Sequence, residues 1–291
     1  MPAARGAAKS KAKSASASRA AAPFRFTRRV DSRKLRTLDL AQVMQVPDLS
    51  AQTWLMVNPH DDDLPVGAGL WIQAAVNAGV DVRALVVTDG RMGYCTLEQK
   101  GAIAQIRRDE TYRAFEILGV ARDKVVFLGY PDGDLTRFRG RRSAQQDEPA
   151  LVGHTGLQNA FTYHLRAMRP ARVFVPAFTD YHPDHQITHN ELMISLFHAS
   201  GSIWPELGQP LATVPKVCEV AVYCDYDQPP NLEVIADENV FATKLRAIEA
   251  FQSQTQIAAM VDGLRQAGPY EYLHEVTFKL YTPEPYKKMF A

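Results

Sequence analysis

From Gln52 onward, short apolar runs alternate with stretches whose apolar positions recur at helical spacing. Thr53–Asn58 (TWLMVN), Val82–Thr88 (VRALVVT) and residues 124–129, 171–177 and 217–224 are β-branched or continuously apolar. Such runs read as strands covered on both faces. Between them lie helical patterns: 66–79, closed by Gly79; 102–118, followed by Gly119; 157–169, stopped by Pro170; then 190–200 and 237–254. Strand–helix alternation with buried strands predicts one α/β domain over residues 38–291. It is doubly wound and Rossmann-like, a mainly parallel sheet with helices on both faces.

Composition changes the picture at the N-terminus. The chain has 291 residues, 46% hydrophobic and 22% charged, with a net charge of +1. Residues 1–36 hold eleven Lys or Arg against one acid, Asp31. With almost no large apolar residue before Phe24, residues 1–37 read as a basic, disordered tail. Its Arg/Lys/Ser bias also fits an organelle transit peptide, or an arm for anionic surfaces. No apolar run is long enough to span a membrane. Cys95, Cys218 and Cys224 have neither the number nor the spacing of a disulfide framework. A cytoplasmic protein with free thiols is expected, no specific nucleic-acid partner is implied, and the oligomeric state stays open.

The candidate chemistry lies in the loops after the strands, because ligands of doubly wound sheets bind beyond the strands' carboxyl ends. "NPHDDD" follows the first strand, and three adjacent carboxylates repel unless water or a cation separates them. "YHPDHQITH" follows the fourth strand and offers His182, His185 and His189. Imidazole and carboxylate together suit a borderline cation such as zinc, which takes three protein ligands at a catalytic centre. Spacing alone does not choose the third ligand. "VGAG" (66–69) lacks the last glycine of the dinucleotide fingerprint, which argues against a nicotinamide cofactor. Those glycines are expected to let a helix pack close to the sheet.

The paired motifs Pro59-His60-Asp61-Asp62-Asp63 and His182-Pro183-Asp184-His185 resemble those of the PIG-L/LmbE family of zinc-dependent N-acetylglucosamine deacetylases. "TDG" (88–90), Arg107-x-x-Glu110, "LGYPDGDL" and "FQSQ" (251–254) fall in the family's order, with a weaker echo in "YLHEVTF" (272–278). The resemblance implies zinc, or Fe2+ as the alternative, held by His60, Asp63 and His185. Asp62 would be the general base, and His182 would be a charged oxyanion stabiliser oriented by Asp184. Asp61 would face solvent or a backbone amide. Proline and glutamate commonly stand in the family where this chain has Asp61 and Leu64; neither position is a ligand. Arg91 stands where an acid is common.

Arg91, Arg107 and Asp132 are expected to line the sugar pocket, although Arg107 and Glu110 also have the spacing of a helix ion pair and "PDG" that of a plain turn. His154 and His164 are expected to do no chemistry, His189 to be packed or capping, and Cys95 to be a structural thiol. Arg122, Arg137, Arg139, Arg141 and Arg142 suggest an anionic substrate, against a solvated basic loop.

The expected activity is hydrolysis of a linear amide, removing an N-acetyl or related acyl group from an amino sugar or glycoconjugate. The rivals are an amidohydrolase for a non-sugar natural product and a non-catalytic sugar- or nucleic-acid-binding protein.

Overall fold

The computed structural model describes residues 22–276, 278 and 281–290. Its strands are β1 (Phe24–Val30), β2 (Arg33–Thr37), β3 (Thr53–Asn58), β4 (Asp81–Thr88), β5 (Val125–Tyr130), β6 (Arg142–Ser143), β7 (His154–Thr155), β8 (Arg172–Pro176), β9 (Lys216–Val220), β10 (Leu232–Ala236) and β11 (Tyr270–Val276). Its helices are α1 (Leu40–Met44), α2 (Asp63–Asn77), α3 (Ile103–Ile117), α4 (Leu157–Met168), α5 (Pro183–Ser200), α6 (Glu238–Glu249), α7 (Ile257–Ala267) and α8 (Glu284–Lys287).

One sheet runs in the order β2-β1-β10-β11-β9-β8-β3-β4-β5. The stretch from β9 to β5 is parallel, as the buried apolar runs predict. Neighbours from β9 through β11, β10 and β1 to β2 are antiparallel, so the sheet is mixed. In β3, Trp54 and Met56 enter one core with Trp71 of α2, Phe115 of α3 and Leu245 of α6. Leu55 and Val57 enter the other, with Phe161 of α4 and Leu192 of α5. Period-two alternation in a strand made only of apolar residues therefore serves two cores, one on each face.

Residues 24–37 are not tail. They form β1 and β2, and the alternating Phe24, Phe26 and Arg28 are buried. Arg28 pairs with Glu275 of β11, which also receives Arg172 of β8. These ion pairs tie residues too basic and sparse in local pattern to read as a strand into the sheet. The tail expectation for residues 1–21 lies outside the described residues. Among the described residues, no helix is long and apolar enough to cross a membrane.

Candidate active site

The parallel strands leave β3 in opposite directions, toward β4 on one side and β8 on the other. The carboxyl ends of β3 and β8 therefore flank the point where the strand order reverses, and a crevice forms there. The two histidine motifs occupy those ends. Pro59–Asp62 turns from β3 into α2, held because Thr88 of β4 donates its Oγ1 hydrogen to the Pro59 carbonyl at 2.8 Å. The second motif is less a loop than a helix start. His182 caps α5, its Nδ1 accepting from the Asp184 N–H at 3.2 Å.

Gly67 brings α2 against the sheet: a Cβ there would meet Val220 Cγ1 at 2.5 Å. The helix breaks its geometry at Ala68, and Glu271 accepts the N–H groups of Leu70 (2.9 Å) and Trp71 (3.2 Å). The first turn of α2 thus has a direction of its own, set by glycine packing as its spacing suggests.

The three adjacent acids point to three different partners. Asp61 is buried and pairs with Arg107 (Nη1 to Oδ2, 3.3 Å) rather than facing solvent or an amide. Asp62 accepts from Gln254 Nε2 at 2.6 Å. Asp63 accepts the His60 N–H at 2.7 Å and reaches both metal-motif imidazoles. His60 Nδ1 and His185 Nε2 lie 3.0 Å apart; Asp63 Oδ1 is 3.1 Å from the latter, and its Oδ2 is 3.5 Å from the former. Tetrahedral ligands about 2.0–2.1 Å from zinc stand ~3.3 Å from each other. Two nitrogens and a carboxylate aimed at one point fit that cation.

The surroundings fit it too. Asp180 Oδ2 lies 3.1 Å from His185 Nδ1, and Asp132 Oδ1 lies 3.2 Å from His60 Nε2. Carboxylates so placed would orient these imidazoles on a metal. Burial disfavours charge on His60, yet Asp63, Asp132 and Asp184 outweigh it and raise its pKa well above the ordinary value. Burial likewise opposes a charged His185, but Asp63 and Asp180 raise it to about 9. Asp63 is held below the usual carboxylate range by the two imidazoles despite its burial. A pocket with that much negative field attracts a cation. Burial, then the charge of Asp63, pushes Asp62 upward, which makes it the stronger base.

Several expectations change. Burial, then the neighbouring charges of His60 and His185, lower the pKa of His182, against the charged imidazole expected. Its Nδ1 is an acceptor, which places the proton on Nε2. The Asp184 carboxylate does not orient His182; it accepts from the Gly133 N–H at 2.8 Å and lies 3.5 Å from His60 Nε2. Arg107 and Glu110 form no ion pair, because Glu110 instead accepts from Ser253 N and Oγ. Arg107 and Asp132 line a cleft of about 460 Å³ with His60, Asp62, His182 and Gln254. Arg91 does not line it; it turns outward to Asp89.

Cys95 is exposed at the cleft rather than structural, its thiol accepting from the Thr255 N–H at 3.5 Å. Four of the five arginines read as an anion cluster have acidic partners: Arg122–Asp109, Arg137–Asp134, Arg141–Glu206 and Arg142–Glu148. None of the five lines the cleft. His189 is packed, bonded to Glu219 at 2.9 Å, and burial lowers His164 to about 4, away from the cleft.

Sequence reasoning missed Asp180, Tyr223 and the role of Gln254. Asp180 had a readable signal, an acid two residues before the second motif; Gln254 and Tyr223 meet the site only through tertiary packing.

Comparison with known proteins places the chain in a family. Residues 55–195 match the PIG-L family, described as GlcNAc-PI de-N-acetylase. The chain is 30% identical over 206 residues to the diacetylchitobiose deacetylase of Thermococcus kodakarensis, covering 69% of each chain. It is 28% identical over 187 residues to the 1D-myo-inositol 2-acetamido-2-deoxy-alpha-D-glucopyranoside deacetylase of Kineococcus radiotolerans, covering 57% of this chain and 51% of that one. In fold it is similar to the N,N'-diacetylchitobiose deacetylase of Pyrococcus horikoshii, with a TM-score of 0.60 and 23% identity over 81% of this chain and 90% of that one. With both histidine motifs inside the matched span and brought to one point between β3 and β8, the chain belongs to the PIG-L family of de-N-acetylases.

Proposed function

We propose that the protein is a zinc-dependent hydrolase that removes the N-acetyl group of an amino sugar or glycoconjugate, releasing acetate and a free amine. The observation that carries this reading is the convergence of His60 Nδ1, Asp63 and His185 Nε2 beside a separate buried carboxylate, Asp62. The names of the two relatives, both deacetylases of acetylated amino sugars, support the substrate class.

His60, Asp63 and His185 would hold the metal. When bound, zinc lowers the pKa of water to about 7 and polarises a carbonyl. Asp62 takes the proton of the attacking water, with Gln254 fixing its carboxylate. The His182 Nε2–H donates to the carbonyl oxygen as charge develops there; one such donor is worth about 3–4 kcal/mol. Water's oxygen forms the new C–O bond and the C–N bond breaks. The proton held by Asp62 passes to the departing nitrogen. Arg107 and Asp132, on the cleft wall, bind the sugar. Arg107 also compensates Asp61, so its loss acts on Asp62 as well as on substrate.

The test is metal content together with acetate release from a panel of N-acetylated sugars, for wild type and Asp62→Ala. One zinc per chain in both, with turnover only in wild type, is the expected result. Zinc without acetate release would move the activity to another amide. Absence of zinc after reconstitution would overturn the reading and favour a binding protein.

A further inference from the structure

The polar cleft is not the only cavity that reaches the base. A second, of about 310 Å³, shares Asp62, Tyr223 and Met260 with it, so the two meet beside the catalytic carboxylate. Their walls differ. The cleft presents imidazole, guanidinium, carboxylate and amide groups. Apart from Asp62 and Asp63 at its base and the ring of Tyr223, the second cavity is walled by Val66, Val222, Met260, Leu264 and Gly263.

The wall is built by sequence periodicity. Met260, Gly263 and Leu264 stand at i, i+3 and i+4 on α7 and so share one face, while Val261 is buried in the core. Val66 comes from the first turn of α2, whose direction the break at Ala68 sets. Val222 lies just beyond β9. The two carboxylates at the base are already engaged, Asp62 by Gln254 and Asp63 by the two imidazoles.

Amide hydrolysis divides a substrate into an amine part and an acyl part. Hydroxyl-rich sugar suits the polar cleft, and only the acyl part suits an apolar wall. A lone acetyl methyl would leave most of that wall wet. We propose that the second cavity is an acyl-chain site, so that linear N-acyl groups longer than acetyl are substrates at least as good as acetyl. This rests on the hydrolase reading above and specifies its substrate class.

The experiment is kcat/KM for N-acetyl-, N-butanoyl- and N-hexanoylglucosamine with the zinc-loaded enzyme, in wild type and Gly263→Phe. Each methylene moved from water to an apolar wall gains ~0.8 kcal/mol, about fourfold in an equilibrium constant. Butanoyl and hexanoyl compounds are therefore expected to exceed acetyl, with most of the gain in KM. A Cβ at Gly263 meets nothing within 4 Å, and replacing a mid-helix glycine does not weaken a helix, so the variant folds. It is expected to lower the hexanoyl-to-acetyl ratio at least tenfold. Acetate release with hexanoyl refused by wild type would overturn the acyl site and leave the hydrolase reading intact. An unchanged ratio in Gly263→Phe would also overturn the site. Release of neither acid from any of the sugars would overturn both.

Discussion

Two clusters of imidazole and carboxylate lie among the strands around β8, and they differ in where the nitrogens point. At the first, His60 Nδ1 and His185 Nε2 face each other at 3.0 Å with Asp63 spanning both. At the second, Glu219 stands in the middle, giving one oxygen to His189 at 2.9 Å and the other to His274 at 3.0 Å. Asp227 lies near enough to complete a triplet with Glu219 and His274 within 4.8 Å. The first arrangement aims three lone-pair donors at one point, which only a shared proton or a cation satisfies. The second gives each imidazole an oxygen of Glu219 for one ring nitrogen, and the two nitrogens so engaged do not face each other. Residue type nominates both clusters as metal sites, and the direction of the nitrogens favours the first.

The comparison can be broken in four ways. The largest effect is expected from His185→Ala, which should remove bound zinc and with it essentially all turnover, while His274→Ala should keep one zinc per chain; metal analysis of both variants decides it. Next, Asp62→Asn should retain zinc and lose about 10²–10⁴ in kcat, the usual contribution of a positioned general base. Asp180→Asn acts through His185, so zinc affinity should fall by about 10–100-fold in a competition titration with a chelator, with kcat recovering at saturating zinc. Smallest, Glu219→Gln should leave zinc content unchanged and cost about 1–3 kcal/mol in stability by chemical denaturation.

That last variant also carries a pH signature. Burial raises the Glu219 pKa, but His189 and His274 outweigh it and hold the carboxyl below its ordinary range. The folded value then lies below the unfolded one of about 4.3, so the stabilisation is complete above that pH and is lost as pH falls through the folded value. Wild type should lose stability on acidification below about pH 4.3 more steeply than Glu219→Gln. Parallel slopes would remove the charge pairing from the account.

Periodicity made the parallel half legible: apolar runs of strand length, rich in β-branched residues, read as strands covered on both sides, and the chain's order then places the histidine motifs on one rim. It failed for β1 and β2, because a strand of alternating Phe and Arg beside a basic stretch has the composition of a solvated arm. What makes it a strand is a buried carboxylate on β11, 247 residues away from Arg28. The candidate metal ligands were nominated by motif, and their convergence needed the fold. Arg91 was misplaced for a local reason: Asp89 two residues earlier captures its guanidinium. Asp61 went wrong for the opposite one, since its partner Arg107 sits on a helix that spacing cannot aim.

The hairpin of β1 and β2 has a further consequence, for solubility. β1 covers β10 from Phe24↔Ala236 to Arg28↔Leu232, and β10 carries the buried Leu232 and Val234. A chain begun at residue 38 would turn that strand into a bare, apolar edge and leave Glu275 with one fewer guanidinium. Unpaired edges of this kind recruit other strands. Removal of the basic hairpin is therefore expected to promote self-association, read by light scattering of the truncated chain.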